Sequence, residues 1–338
     1  MLADILHKIA AMEQEDHEYY PRPSLAGPER CIRQLVYWGL GYPKEPLPGR
    51  TLFVFDDGSW HEELTADWLR KSAYHIHSQQ MKVNCGIQYG ITLKGSIDGI
   101  ITDPLGIDRL WEHKAINHFT FNRFERGAEF PLDYFTQIAH YLNGVQEVNP
   151  DITEAILLIK NKNTAQFLEY LLRYQADTLT LVGMINSQGE SPDIDLVIVE
   201  TDICEKSFKK FAEIASHISK RTLPKRPYDM DHWRCSYCPY STTCWEGWAD
   251  ELQQMKAGDM LPEEIETMVR YRQELGGQKR DLESEYKDLT TNIRHAMKDA
   301  GIREGRAGEY VCQLQVRQRK ESYTPASTYE QLSVRKAG

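Results

Sequence analysis

One stretch of this chain concentrates side chains suited to hydrolytic chemistry: Gly95-Ser-Ile-Asp98-Gly and, after a short connection, Trp-Glu112-His-Lys114-Ala. Residues i and i+2 of a strand point to the same face, so Glu112 and Lys114 project together and a turn can bring Asp98 beside them. Two carboxylates hold Mg²⁺ or Mn²⁺ through hard oxygen ligands and leave positions open for water and phosphate. Such a metal acidifies a bound water and offsets charge on a phosphoryl group. A lysine beside it orients or deprotonates that water and stabilises developing negative charge. By itself the pattern also describes a solvated charge pair next to an Asp-Gly turn. Two further elements bear on it. Gly58-Ser-Trp-His61 supplies an imidazole, and Gln137-Ile-Ala-His-Tyr141 sets Gln and Tyr on one helical face at i and i+4.

A second constellation is softer. Cys235-Ser-Tyr-Cys238-Pro-Tyr-Ser-Thr-Thr-Cys244 gathers three thiols in a tight loop, and a fourth ligand would complete a tetrahedral zinc site or a cubane cluster. No second CxxC exists and no histidine stands at finger spacing. Cys31, in Arg30-Cys31-Ile-Arg33, is the best remaining candidate. Seven cysteines is an odd number for a disulfide framework, and Cys85, Cys204 and Cys312 read as packing residues.

The elements that must position these groups follow from periodicity. Residues 1–50 read as a helix, a stretch with Pro21, Pro23 and Pro28, and a second helix over 29–39. Residues 57–73 read as a helix with Leu64, Trp68 and Leu69 on its apolar stripe. Strands are predicted over 87–93, 95–102 and 109–115, then a helix over 132–148 and strands over 155–160 and 165–174. Residues 175–194, broken by Gly and Ser-Pro, read as a loop or small insertion. A strand at 195–199 and a basic helix over 203–221 close a mixed α/β core with a central sheet. Beyond the cysteines, 262–300 is charged and helical, with Leu275, Leu282 and Leu289 seven residues apart; Gly276-Gly277 is expected to break it in two, and Gly301 to cap it. Residues 309–319 read as a strand.

Composition sets wide limits. The 338 residues are 41% hydrophobic and 27% charged, the proportions of an ordinary globular protein. The net charge of −10 argues against a coat on nucleic acid, though not against a local basic track. No apolar run reaches membrane-spanning length and the N-terminus has no signal-peptide apolar core, so a cytoplasmic location with no membrane partner is expected. No Gly-X₄-Gly-Lys-[Ser/Thr] loop is present, which excludes unwinding by a P-loop motor in this chain.

The ordered set His61, Asp98, Glu112-X-Lys114, Gln137-X₃-Tyr141 resembles the RecB-type branch of the PD-(D/E)XK nucleases. The resemblance implies a restriction-endonuclease-like core in which His61, Asp98, Glu112 and the backbone carbonyl of His113 hold the metal. Lys114 is then the catalytic lysine, with Gln137 and Tyr141 beside the metal and the DNA. One early cysteine and a late C-X₂-C-X₅-C group are similar to those of the CRISPR-associated RecB-like exonucleases and the AddB-type helicase–nuclease subunit, over roughly residues 20–250. That implies a 4Fe–4S cluster on Cys31, Cys235, Cys238 and Cys244 stapling the two ends of the domain, with zinc as the rival occupant.

On this reading residues 1–250 form the iron–sulfur nuclease domain and 251–338 a helical extension with a terminal strand, similar to C-terminal additions of phage recombination nucleases. The implied activity is 5′→3′ exonucleolytic hydrolysis of DNA, single-stranded or at duplex ends, for recombination or repair and phage-encoded. The alternatives are a CRISPR adaptation nuclease that trims spacer precursors and a non-catalytic iron–sulfur DNA-binding module. A single-strand annealing protein is a candidate partner. Arg30, Arg33, Arg123 and Arg126 are candidate phosphate contacts, and the helix over 203–221 is either a phosphate track or a solvated face.

Overall fold

A computed structural model describes residues 2–12, 17–191, 196–248, 250, 263–307 and 310–314. Its contacts divide the chain after Cys244 into two compact units.

The first unit is a mixed α/β structure with a central mixed sheet, as the sequence pattern predicts. Helices α1 (Leu2–Met12), α2 (Ile32–Gly39) and α3 (Gly49–Leu69) precede strands β1 (His75–His77), β2 (Lys82–Gln88), β3 (Ile91–Ser96), β4 (Gly99–Thr102) and β5 (Asp108–Ile116). Helices α4 (His118–Glu125) and α5 (Leu132–Gln146) follow. Strands β6 (Glu154–Asn161), β7 (Phe167–Gln175), β8 (Thr178–Ile185) and β9 (Val197–Glu200) lead to α6 (Ile203–Lys220) and the short α7 (Trp233–Ser236) and α8 (Ser241–Trp245). Seven strands form one sheet in the order β1-β4-β5-β6-β7-β8-β9. Its pairs are antiparallel except β5 with β6, which run parallel with Glu112 opposite Leu157 and Lys114 opposite Ile159.

Alternation along β5 divides its side chains between two cores. Leu110, Glu112, Lys114 and Ile116 share a face with Ala155, Leu157 and Ile159, and Leu110, Leu157 and Ile159 pack in one buried cluster with Phe135, Ile138 and Leu142 of α5. Those α5 positions recur at helical spacing, so the helix lies on this face through one apolar stripe. Trp111 points the other way, into a smaller cluster with Ala66 of α3, Ile76 and Ile101. Truncating a buried leucine such as Leu157 to Ala would cost about 2–5 kcal/mol.

Several boundaries differ from the periodicity reading. The strand expected over 87–93 is two, because Tyr89 and Gly90 both take positive φ and turn β2 back on β3 as a separate hairpin. The segment expected as a loop over 175–194 contains β8, whose alternation is disturbed by a bulge where it pairs with Leu171 and Leu172. The helix expected from residue 57 begins at Gly49, behind Pro48, so Gly58 lies within it.

In the second unit, α9 (Glu263–Asp299) runs through Gly276 and Gly277 without a break. It buries none of its residues, and i,i+4 pairs such as Arg270 with Glu266 (2.5 Å) support it. Gly301, at φ 67°, ends it as expected. A hairpin of β10 (Glu304–Ala307) and β11 (Tyr310–Gln313) follows, and the rest of the strand expected over 309–319 lies outside the described residues. No helix among the described residues is long and apolar enough to cross a membrane.

Candidate functional site

The carboxylate group forms where β4 begins and β5 is most buried. Glu112 is 0% exposed. Its Oε1 accepts from Gln137 Nε2 at 2.8 Å and from the Lys114 ammonium, while its Oε2 is buried with no hydrogen-bond partner. Asp98 Oδ2 accepts from the backbone N–H of His113 at 2.9 Å, which fixes the loop before β4 against β5. Gln137 Nε2 also donates to the Tyr141 hydroxyl at 3.3 Å. A side chain at Gly95 would come within 2.8 Å of the Tyr141 ring, so glycine there lets Tyr141 approach. Asp98, Glu112, Lys114, Gln137 and Tyr141 are thus one hydrogen-bonded and electrostatic group, supplied by the loop before β4, by β5 and by α5.

Burial sets the charge states. It pushes the Glu112 carboxyl up to about 8, against the Lys114 ammonium and with the Asp98 carboxylate adding to the rise. Burial works against the Lys114 ammonium, but Glu112 and Asp98 outweigh it and hold this lysine above its usual range. Tyr134, 5.8 Å from that ammonium at the ring centroid, completes its surroundings. Burial also lifts the Tyr141 hydroxyl. Lys114 is therefore a fixed positive charge and a donor.

One carboxylate escaped the sequence reading. Glu62 is pushed up to about 7 by burial and next by the Asp98 charge, and Glu112 feels it in turn. Glu62 precedes the buried Thr65 and Ala66 by three and four residues, so helix phase turns it toward the sheet. That phase was the available signal. His61, its neighbour on α3, has a different set of charged neighbours. Burial lowers it, and Lys160, Asp57 and Lys162 are the charges it senses. The His113 imidazole is held down to about 3 by burial and then by Lys114, Lys160 and His61, and its Nε2 has no partner.

The segments that carry the cysteines come together beside the first turn of α5. Cys31 caps α2, its sulfur accepting from Gln34 N at 3.4 Å. Consecutive turns carry Cys235, Cys238 and Cys244, with Cys238 N bonded to Cys235 O at 3.2 Å and Cys244 N to Tyr240 O at 2.8 Å. Burial pushes the Cys238 thiol up to about 12, and Cys31, Cys244 and Cys235 each add to the rise. Cys238 therefore senses the other three sulfurs, and Cys31 senses Cys244. Among the described residues, however, no three His, Cys, Asp or Glu side chains are arranged as they stand to grip a metal. The donor chemistry fits two different groups. Thiols gathered about Cys238 suit a soft metal or cluster, and the orphaned Glu112 oxygen beside Asp98 and Glu62 suits a hard cation.

Polar contacts join the two groups of residues. Asp133, in the first turn of α5, accepts from Glu29 N at 3.1 Å and lies 3.3 Å from Arg234 Nη2 and 3.7 Å from Arg30 Nε. Arg234 also pairs with Glu29, and Tyr228 donates to the Glu29 carbonyl at 2.5 Å. A Cβ at Gly27 would fall 2.6 Å from the Asp133 Cα, so the segment before Cys31 presses directly on α5.

The expected DNA contacts are differently placed. Arg30 faces Asp133, and Arg33 turns inward to Pro224 O (2.5 Å) and the Tyr37 hydroxyl (3.1 Å). Arg123 pairs with Glu129, and Arg126 is exposed at the end of α4. On α6, Lys206 and Lys209 pair with Glu200 and Glu205, while Lys210 donates inward to the carbonyls of Leu25, Ala26 and Gly27. Lys206 and Lys209 follow the solvated-face reading, as surface ion pairs, and Lys210 follows neither reading because it turns inward.

No family model matches the chain, and no curated protein matches it. Among solved structures it is similar to SSO0001, at 14% identity and a TM-score of 0.40 over 72% of this chain and 96% of that one. It is also similar to the alkaline exonuclease LHK-Exo of Laribacter hongkongensis, at 12% identity and a TM-score of 0.36 over 60% and 91% of the two chains. For LHK-Exo in complex with dAMP the values are 10% and 0.39, over 64% and 95%. Likenesses this loose add nothing to the geometry described above.

Proposed function

We propose that this chain is a divalent-metal-dependent deoxyribonuclease with a PD-(D/E)XK-type core that degrades DNA from an end. The observation that carries the reading is Glu112. A fully buried carboxylate has one oxygen held by Lys114 and Gln137 and the other without a partner, beside Asp98 and Glu62. A buried acceptor left unmatched is costly in a folded protein. The unmatched oxygen supports a cation bound by Asp98 and Glu112, with Glu62 as a further oxygen donor, and the sequence resemblance adds His61 and the His113 carbonyl.

Mg²⁺ or Mn²⁺ there would acidify a water and offset the charge of a scissile phosphate. Gln137 keeps Glu112 in one orientation, and Tyr141 keeps Gln137 in place. Lys114, held protonated, donates to the attacking water or to a phosphate oxygen and stabilises the charge that develops there.

The cysteines support a 4Fe–4S cluster on Cys31, Cys235, Cys238 and Cys244. Exonuclease direction (5′→3′), a role in recombination and a phage source rest on the sequence resemblance. A spacer-trimming nuclease of CRISPR adaptation would have the same site.

The test is degradation of end-labelled linear DNA against covalently closed circles in Mn²⁺, with Lys114→Ala as control. Loss of linear DNA alone, abolished in the variant, is expected. Cutting of circles would replace the exonuclease with an endonuclease, and no cleavage of either, with metal retained on the cysteines, would favour a binding module. Iron and zinc analysis of anaerobically prepared protein decides the occupant of the cysteines.

A further inference from the structure

The helix α9 is 37 residues long and buries none of them. Read in sevens, one column of its surface is Met268, Leu275, Leu282, Leu289 and Ala296. The column beside it is Ile265, Arg272, Lys279, Tyr286 and Ile293. The three leucines are 44%, 65% and 55% exposed, and with Tyr286 they line one shallow groove along the helix. A contiguous apolar strip left in water marks an interaction surface.

The period of seven narrows the kind of surface. Apolar residues three and four apart, sustained over five heptads, are the seam of a coiled coil. The outer face is finished without a partner, since Glu266 and Arg270 pair with each other there. Gly276 and Gly277 lie near the middle of the helix and weaken it as a lone element. Packing along the seam would support those turns where propensity does not.

Charge selects the occupant. The positions flanking the seam carry Glu264, Glu283, Glu285 and Asp299 and no Lys or Arg, while the seam itself carries Arg272 and Lys279. A basic seam between acidic flanks is complementary to a second copy of the same helix. Orientation follows from the same residues. A parallel pair would set Arg272 on Arg272 and Lys279 on Lys279, like charge against like charge. An antiparallel pair sets each of them against a leucine.

We propose that α9 pairs with α9 of a second copy of this chain as a two-stranded antiparallel coiled coil, with Lys279 against Leu282 of the other helix at its centre. The columns then interlock along the whole helix: Arg272 meets Leu289, Tyr286 meets Leu275, and Ile293 meets Met268. Lys279 already lies 3.8 Å from Glu283 of its own helix. The second copy brings its Glu283 to the same place, so two lysines and two glutamates alternate around the twofold axis. This pairing is independent of the nuclease reading.

The experiment is sedimentation equilibrium of the full chain over about 1 to 100 µM, where micromolar association is read. Wild type is compared with Leu282→Asp, Lys279→Glu and Lys287→Glu, and a thermal melt checks that each variant is folded. Leu282 is exposed in the single chain, so its replacement disturbs no core. Wild type is expected to be a dimer. Leu282→Asp should raise the dimer Kd at least about a hundredfold, because it places a carboxylate in the apolar seam. Lys279→Glu should raise it about tenfold by gathering four carboxylates at the axis. Lys287→Glu, on the outer face, should leave it unchanged. Benzoylphenylalanine in place of Tyr286 then reports orientation by photocrosslinking. Capture of the peptide around Leu275 of the other copy supports the antiparallel pair, and capture around position 286 overturns it. A monomeric wild type, a larger oligomer, or a dimer indifferent to Leu282→Asp overturns the proposal as well.

Discussion

The carboxylate site and the cysteine site belong to one compact unit, yet they are built in opposite ways. The carboxylate site is framed by regular structure. Strand register sets Glu112 beside Leu157 and Lys114 beside Ile159, and α5 covers them with a continuous apolar stripe. The cysteine site is framed by turns and ion pairs, and α7 and α8 bury no residue at all. Its contacts to the rest of the unit are polar ones such as Arg226 Nε to Cys244 O at 2.9 Å, with the stacked Tyr37 and Tyr240 rings beside them. The difference teaches where each side chain's worth lies. At the carboxylates the scaffold stands without the functional groups, whereas at the cysteines a bound group would be much of the scaffold.

The sharpest way to break that contrast is at Asp98. Asp98→Asn keeps an acceptor for His113 N but removes a charge from the metal site. Cleavage should fall at least about a thousandfold, since both metal affinity and charge stabilisation depend on that carboxylate. The melting temperature should stay within a few degrees of wild type. A variant that unfolds would show that the carboxylates, too, are structural.

Cys238→Ala should behave the other way round. Loss of a thiolate ligand is expected to release the bound metal or cluster and to lower the melting temperature by roughly 10 °C or more, because binding free energy at such sites is folding free energy. Metal content by elemental analysis and thermal denaturation measure it together. Wild-type stability in this variant would leave the cysteines as ordinary packing residues.

The two sites were not equally legible in the sequence. Asp98, Glu112, Lys114, Gln137 and Tyr141 could be grouped in advance because strand alternation and helical spacing convert sequence offsets directly into shared faces. Glu62 required the phase of a helix whose start at Gly49 was placed eight residues late. β8 was hidden because its bulge interrupts the period of two. The partners of Lys206, Lys209 and Lys210 are tertiary and local ion-pair outcomes that a run of basic letters does not specify. The approach of Cys31 to the late cysteines is a long-range contact, and only the resemblance to a known arrangement supplied it.

A pH experiment sharpens the comparison further. Without metal, Glu112 and Glu62 are raised to about 8 and about 7, above the ordinary value of 4.5. Their contribution to stability is therefore fully present below about pH 4.5 and is lost as pH rises through 7 and 8. Mn²⁺ bound to the ionised carboxylates should offset that loss. Its stabilising effect on the melting temperature is expected to be larger near pH 8.5 than near pH 6, and Glu62→Gln should flatten the dependence. An effect that is equal at both pH values would remove these carboxylates from the metal site.

The smallest effect concerns the contacts between the two sites. Asp133 is held by Glu29 N, Arg234 and Arg30 on the cysteine side, and it stands one helical turn before Gln137, which orients Glu112. Asp133→Asn keeps an acceptor but removes the charge that the two arginines share, at a cost of about 1–3 kcal/mol. If α5 couples the sites, metal retention on the cysteines and the cleavage rate should fall together, the rate by less than about tenfold. A lower melting temperature and metal content with unchanged turnover would instead make Asp133 a local clamp on the cysteine end. The carboxylate geometry would then depend on the sheet alone, because β5 and β6 hold Glu112 and Lys114 in register whatever happens at the first turn of α5.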